Sequence, residues 1–408
     1  MTSRRLKLLI GAAAVLLAAA LPRAAAPVEI VVWHGYRGGE KTAFEKVVAA
    51  YNASRASRGV KVSTLAVPYD AYPDKISATV PRGKGPDVFI YAQDRLGGWI
   101  EAGNTIEPIG FYVDAKTRAR FLPATLEAMT YRGEIYGLPL NYKVITMIYN
   151  RKLVARPPAT SGELVQVARK LTDASTGRFG LAYWYANFYY HAPLMNAFGG
   201  GAFDANRKPR LNAAANIRAL NLLMKWIDKD RILPAESSTA LVTSLFNQGK
   251  AAIVFSGPWF VGEIAPGVDF GLAPLPTLDE AAGQPMRPWM SVEGVYIARP
   301  SAHKDHAYDF ASYLTEAAAA KVLAVEGRQT PANQQVYDDP AVAGDSILKV
   351  FRQQVATAIP MPNYLEMTMV WSPLATAMNS IVQRSATPQA AMDAAQREVE
   401  QSIQRLRK

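Results

Sequence analysis

The sequence predicts an α/β protein of two domains of similar size, and three observations lead there. Between Val28 and Tyr91 the chain alternates strand, helix, strand, helix, strand, the pattern of a mostly parallel sheet. The same alternation starts again near residue 146. The chain has 408 residues, enough for two ordinary domains, and no repeat of 20–50 residues that would signal a solenoid or propeller.

The elements follow in order. Val28–Trp33 is rich in β-branched residues and reads as a buried strand. A glycine-containing loop covers 34–39. Phe44, Val47, Val48 and Tyr51 then recur at helical spacing. Val60–Val67 is a second strand, Asp74–Val80 a short helix, and Asp87–Tyr91 a third strand entered through Gly85-Pro86. In such sheets ligands sit beyond the carboxyl ends of the strands, here loops 34–39 and 92–98. In the second half, strands are expected at Thr146–Tyr149, Phe179–Tyr185, Ala251–Phe255 and Val295–Ala298. Helices are expected from Thr160, which has capping chemistry, over Ile217–Ile227, from Ser301 and from Pro388.

Composition removes several classes. Half the residues are hydrophobic and 19% are charged, so the chain is globular rather than disordered. There is no cysteine, hence no disulfide framework, thiolate metal site, thiol nucleophile or lipid-modified N-terminal cysteine. Four histidines, at 34, 191, 303 and 306, are too few and too scattered for a histidine-rich metal site. The net charge is +11, but four of the 45 cations fall in the first 26 residues, leaving +7 for the remainder. Those cations form no dense block, so no nucleic-acid partner is expected.

Residues 1–26 read as a signal peptide. Arg4, Arg5 and Lys7 precede an uncharged run from Leu8 to Leu21, too short to span a bilayer. Ala18–Ala20 and Ala24–Ala26 offer small residues for cleavage, and Ser3-Arg4-Arg5 hints at the twin-arginine route. The expectation is a soluble protein exported to the periplasm.

The catalytic motifs are missing. Gly83-Lys84-Gly85-Pro86 runs into a strand and is no dinucleotide fingerprint; Gly249-Lys250 lacks the rest of a phosphate loop. No Gly-x-Ser-x-Gly, no His-Glu-x-x-His and no paired carboxylates for glycoside hydrolysis occur, so neither an enzyme nor a cofactor is expected. What stands out is aromatic residues beside polar ones at loop positions, at strand ends and in loops. Tyr91 precedes Asp94 and Arg95; Tyr185, Phe188, Tyr189 and Tyr190 surround Asn187 and His191; Trp259 follows Gly257-Pro258; and Trp371 precedes Ser372. Aromatic faces cover the apolar faces of sugars, and charged or amide groups bind their hydroxyls. Taken singly, each aromatic is also a fair core residue.

Four stretches carry a family resemblance: Gly83–Gly98, Tyr131–Pro139 with Met147–Asn150, Phe246–Trp259, and Met361–Trp371. Over about residues 28–407 the chain resembles the extracellular solute-binding proteins of ABC sugar importers. The resemblance implies a two-lobed periplasmic-binding-protein fold of two α/β domains joined by hinge crossings. It divides the chain into an N-terminal lobe of 27–141 with 293–340 returning, and a C-terminal lobe of 146–288 with 341–408 returning. Crossings are expected near 141–146, 288–293 and 335–345. It further implies a monomer that binds a small saccharide between the lobes, closes on it, and docks on ABC permease subunits.

Carried over by position, the resemblance makes Tyr91, Tyr189, Trp259 and Trp371 stacking rings and Asp94 and Arg95 the hydroxyl-binding pair. Tyr36 and Arg37 stand near an Asp-Lys pair of the family's maltose binders. Lys143 and Asn187 stand where those have glutamates, and Ser372 and Ala375 where they have Tyr and Arg. Tyr190 completes the expected site. Maltose or maltodextrin is the leading ligand; another disaccharide such as trehalose, or an acidic sugar held by Lys143, Arg37 and Arg95, is the alternative. An exported carbohydrate-active enzyme and a surface sensor are the rival classes. Lys143 also admits a structural role, paired with Glu293 on the neighbouring crossing, because a lone buried charge costs several kcal/mol.

Overall fold

The strands of the computed structural model, which describes residues 27–406, fall into two main sheets. The expected signal peptide lies outside the described residues.

The first sheet runs, edge to edge, Thr330–Pro331, Gly137–Lys143, Trp289–Ile297, Val88–Ala92, Val28–His34 and Val60–Ala66, with Ile359–Pro360 added against Trp289–Ile297. Val28–His34 pairs in parallel with both Val60–Ala66 and Val88–Ala92. Trp289–Ile297 is antiparallel to both its neighbours in the middle of the sheet. The sheet is therefore mixed, which corrects the mostly parallel expectation. The physical reason is the chain path. Gly137–Lys143 leads out to the second sheet, whose first strand is Thr146–Asn150, and a returning strand laid beside it runs the other way.

The second sheet has the order Phe270–Ala273, Thr146–Asn150, Ala251–Ser256, Phe179–Ala182. Its last two strands are parallel and the other pairs antiparallel. The strand expected over Phe179–Tyr185 stops at Ala182. Asn187 then caps the helix Phe188–Ala197, its side chain accepting a hydrogen bond from the Tyr189 backbone N–H at 2.9 Å. The β-prone aromatics there hide this helix from a sequence reading.

Packing follows from composition. Val88–Ala92, a continuous apolar run, and Trp289–Ile297, apolar apart from Ser291, Glu293 and Gly294, are buried at every position, as strands at a sheet centre should be. The helix Gly38–Arg55 buries Phe44, Val47, Val48 and Tyr51 on one face of the first sheet, and the helix Lys304–Leu314 buries Ala307, Phe310 and Leu314 there. On the other face a larger apolar cluster continues through Val144 and Ile145, which link Gly137–Lys143 to Thr146–Asn150, to residues of the second sheet. The segment before Trp371 is tied to the first domain: Asn363 donates to the carbonyls of Ala128 and Thr130, and its own carbonyl accepts from Gly97 N–H. A Cβ on Gly97 would lie 2.5 Å from the Leu365 backbone nitrogen, so the close approach requires glycine.

Candidate functional site

Between the two sheets lies a cavity of about 700 Å³. All eleven residues singled out in the sequence line it: Tyr36, Arg37, Tyr91, Asp94, Arg95, Lys143, Asn187, Tyr189, Tyr190, Trp259 and Trp371. Most gather because the strands Val28–His34, Val88–Ala92, Gly137–Lys143, Phe179–Ala182 and Ala251–Ser256 end at the cleft. Tyr189 and Tyr190 come instead from the helix Phe188–Ala197, and Trp371 from the helix Met367–Val382, where the sequence leads one to expect loops. Tyr185 and Phe188, which the sequence groups with them, belong to the core instead, and so does His191, whose burial holds its imidazole down to a pKa of about 3.

Asp94 and Arg95 sit in a short turn, Gln93–Arg95, after the third strand. Buried Gln93 anchors that turn: its amide N–H donates to the Met361 carbonyl at 3.0 Å, and its carbonyl accepts from Val292 N–H at 2.7 Å. Asp94 Oδ2 lies 3.3 Å from Arg95 Nε, and the guanidinium lies over the Trp371 ring, 5.9 Å from its centre. Burial raises the Asp94 carboxyl to a pKa of about 6, against the pull of Arg95 and of the Trp371 side chain.

Lys143 closes the floor. Its Nζ lies 2.9 Å from Glu40 Oε1 and 3.1 Å from Glu293 Oε1, all three side chains being at most 10% exposed. The Glu293 pair is the structural role weighed for Lys143 from the sequence; Glu40 is an added partner from the first turn of Gly38–Arg55. Glu293 Oε2 also accepts from the Tyr36 hydroxyl and from the Asn141 amide, each at 3.0 Å. Burial works against the Lys143 charge, but the two carboxylates outweigh it and its pKa lies above the ordinary value. Burial raises Glu40 as well, with Lys143 opposing.

At the mouth, Arg37 forms an ion pair with Glu263 of the second domain. Gly38, at φ +50°, lets this turn approach closely: a Cβ there would stand 3.3 Å from the Gly262 carbonyl. Among the described residues, the three cations lining the cavity, Arg37, Arg95 and Lys143, are thus each held by a carboxylate of the chain itself. That weakens the case for an acidic ligand.

The rings divide by exposure. Tyr189, Trp259 and Trp371 are half-buried. The Tyr189 hydroxyl lies 3.1 Å from Ser291 Oγ, and Trp259 Nε1 donates to the Tyr190 hydroxyl at 3.1 Å. Tyr91 lines the cavity but is only 5% exposed, because Tyr69 stacks on it. Asn187 already spends its side-chain carbonyl on the helix cap.

Sequence reasoning missed Glu40, Tyr69, Asp70 and Trp184, which also line the cavity. A usable signal existed for Tyr69 and Asp70, since they follow the carboxyl end of Val60–Ala66, where the strand-end rule also applies.

Comparison with known proteins decides the family. The profile described as bacterial extracellular solute-binding protein matches residues 37–321. The maltotriose-binding protein of Pyrococcus abyssi (strain GE5 / Orsay) is 31% identical over 361 residues, covering 87% of this chain and 77% of that protein. The chain belongs to the bacterial extracellular solute-binding protein family. As a member of that family it is a binding protein and not an enzyme. The galactooligosaccharide-binding protein of Bacillus subtilis (strain 168) is 26% identical over 381 residues, 90% of this chain and 87% of that one. Among solved structures, the maltose/maltodextrin-binding domain MalE from Bdellovibrio bacteriovorus bound to maltotriose superposes with TM-score 0.86 at 25% identity, over 92% of this chain and all of that one. The Thermus thermophilus maltotriose binding protein bound with maltotriose gives 0.84 at 26%, with the same coverage. This solute-binding protein therefore has the two-lobed fold. Among the described residues no helix is long and apolar enough to cross a membrane.

Proposed function

We propose that this protein is the substrate-binding component of an ABC carbohydrate importer, taking a maltodextrin-type oligosaccharide between its lobes and closing on it. The observation that carries the reading is the cleft, where half-buried Tyr189, Trp259 and Trp371 stand beside the Asp94–Arg95 pair. Rings for the apolar faces of sugars and a charged pair for their hydroxyls are what a neutral saccharide needs. The relatives named for maltotriose and maltodextrins support the same ligand class. The protein works as an exported monomer in the periplasm and delivers its sugar to permease subunits. Its lobes divide near 141–146 and 288–293, and tight binding to the closed state drives closure.

Calorimetric titration of the purified protein with mono- to tetrasaccharides tests the ligand, with scattering on the same samples. Malto-oligosaccharides are expected to bind, to raise stability by about 3 kcal/mol at a hundredfold excess over Kd, and to lower the radius of gyration. Binding of galacto-oligosaccharides or trehalose alone would replace the maltodextrin reading. A bound sugar with an unchanged radius would remove closure.

Binding should also depend on pH. Hydroxyl donors favour the Asp94 carboxylate, so the bound form has the lower pKa. Affinity is expected to be full above the value of about 6 in the free cleft and to fall as pH drops through it. Calorimetry at pH 7.5 and 5.0 reads this directly, and an Asp94→Asn variant should have lost the dependence.

A further inference from the structure

We propose that Tyr69, with Asp70, forms an outer saccharide subsite on the first-domain rim of the cleft, one that contacts oligosaccharides longer than a disaccharide. The proposal rests on the oligosaccharide reading above and adds to it a determinant of chain length.

Tyr69 belongs to a cluster of rings, but it alone is open. Tyr72, Tyr91 and Trp99 are 0%, 5% and 3% exposed, whereas Tyr69 is 42% exposed and lines the cavity. Its ring lies nearly parallel to that of Tyr91, with centres 4.9 Å apart and planes 22° apart. Tyr91 is in turn fixed edge-on by Tyr72 and Trp99. One face of Tyr69 is thus backed by a buried support, and the other is left for a ligand. An exposed ring held this way loses little freedom on binding.

The loop is built to hold it. Gly35 lies against the ring edge, where a Cβ would come within 2.9 Å of Tyr69 Cδ2 and push the ring away. Pro68 precedes the turn Tyr69–Ala71, and Pro73 opens the helix that follows, so two fixed φ angles bracket the ring. Asp70 adds a polar handle. Glu40, Asp94 and Glu293 each face a cation, while Asp70 lines the cavity, is exposed, and has no ion pair or hydrogen bond among the described residues.

Position gives the length dependence. Trp259 stands beside the buried floor, 5.7 Å from Lys143 Nζ, and Trp371 beside Arg95. Tyr69 makes ring contact with neither and is the most exposed of the rings lining the cavity. A cavity of about 700 Å³ is in the upper part of the range for ligand sites, about 300–1,000 Å³. Sugar units beyond the inner rings therefore reach Tyr69, and a disaccharide seated on those rings does not.

The test is calorimetric titration of wild type, Tyr69→Ala, Tyr69→Phe and Asp70→Asn with maltose, maltotriose and maltotetraose, with the melting temperature of each variant recorded. Tyr69→Ala is expected to weaken the tri- and tetrasaccharide about tenfold, the scale of one lost aromatic contact, and maltose less than about twofold. Tyr69→Phe should keep most of the affinity, and Asp70→Asn should weaken only the longer sugars. Equal losses for all three sugars, or no loss for any, would overturn the subsite. If wild type binds none of the three, the oligosaccharide reading fails and the subsite with it. If wild type binds them and Tyr69→Ala is indifferent to length, the subsite fails alone.

Discussion

Lys143→Met is expected to cost about 3–5 kcal/mol of folding stability at pH 7.5, the scale for breaking a buried ion pair by removing one partner. Methionine keeps the length of the side chain, so little packing changes and the loss is electrostatic. Two carboxylates, Glu40 and Glu293, would face each other at 5–6% exposure without their shared cation. Adding Glu293→Gln removes one of them and should restore part of the stability; adding Glu40→Gln as well should restore more. The pH dependence has a fixed sign. A carboxyl whose folded pKa is raised, as that of Glu40 already is, contributes stability in full below its unfolded pKa, and that contribution is lost as pH rises through the folded value. The deficit of the variant should therefore shrink on acidification. Urea denaturation at pH 7.5 and 5.0 measures both effects. A loss below about 1 kcal/mol at pH 7.5 would place the trio among solvent-screened pairs.

The trio also marks the limit of what could be read in advance. Lys143 and Glu293 are legible as partners because both lie on segments expected to cross between domains, and the register places Ser291 beside Lys143 on adjacent strands. Glu40 is more than a hundred residues away in a helix whose periodicity says nothing about the side chains aimed at the cleft. The same contrast separates Tyr91 from Tyr69. In sequence both are tyrosines following strand-forming residues near polar neighbours, and only tertiary packing makes one the support and the other the open face. Strand direction is illegible for a related reason: a strand-forming run reads alike in either sense, so the antiparallel return of Trp289–Ile297 through the centre of the sheet leaves no mark on composition. What the sequence does declare is where several strands end, and Tyr36, Arg37, Asp94 and Arg95 follow such ends. Tyr189, Tyr190 and Trp371 reach the cleft from the helices Phe188–Ala197 and Met367–Val382, which the sequence does not foretell.

Trp371→Ala and Trp259→Ala are each expected to weaken saccharide binding by about 1–3 kcal/mol, the cost of losing an aromatic anchor. Trp371 belongs in the upper part of that range, for two reasons. Its ring carries the Arg95 guanidinium on one side, so removing it loosens the Asp94–Arg95 pair as well as the stacking surface. It is also held edge-on by buried Trp289, with planes 79° apart, and is already oriented before the sugar arrives. Trp259 is fixed by its hydrogen bond to Tyr190 and lies under the Lys143 ammonium, which is itself held by two carboxylates and does not move when the ring is lost. Phenylalanine at either position should recover most of the stacking, although at 259 the Tyr190 hydroxyl then loses its donor. Folding should change less than binding, because both rings are half-buried and a fully buried Trp→Ala costs about 3–5 kcal/mol. Calorimetric titration beside a melting curve separates the two roles. Weaker binding with a nearly unchanged melting temperature identifies cleft platforms; unchanged affinity with a large loss of melting temperature would assign both tryptophans to the core.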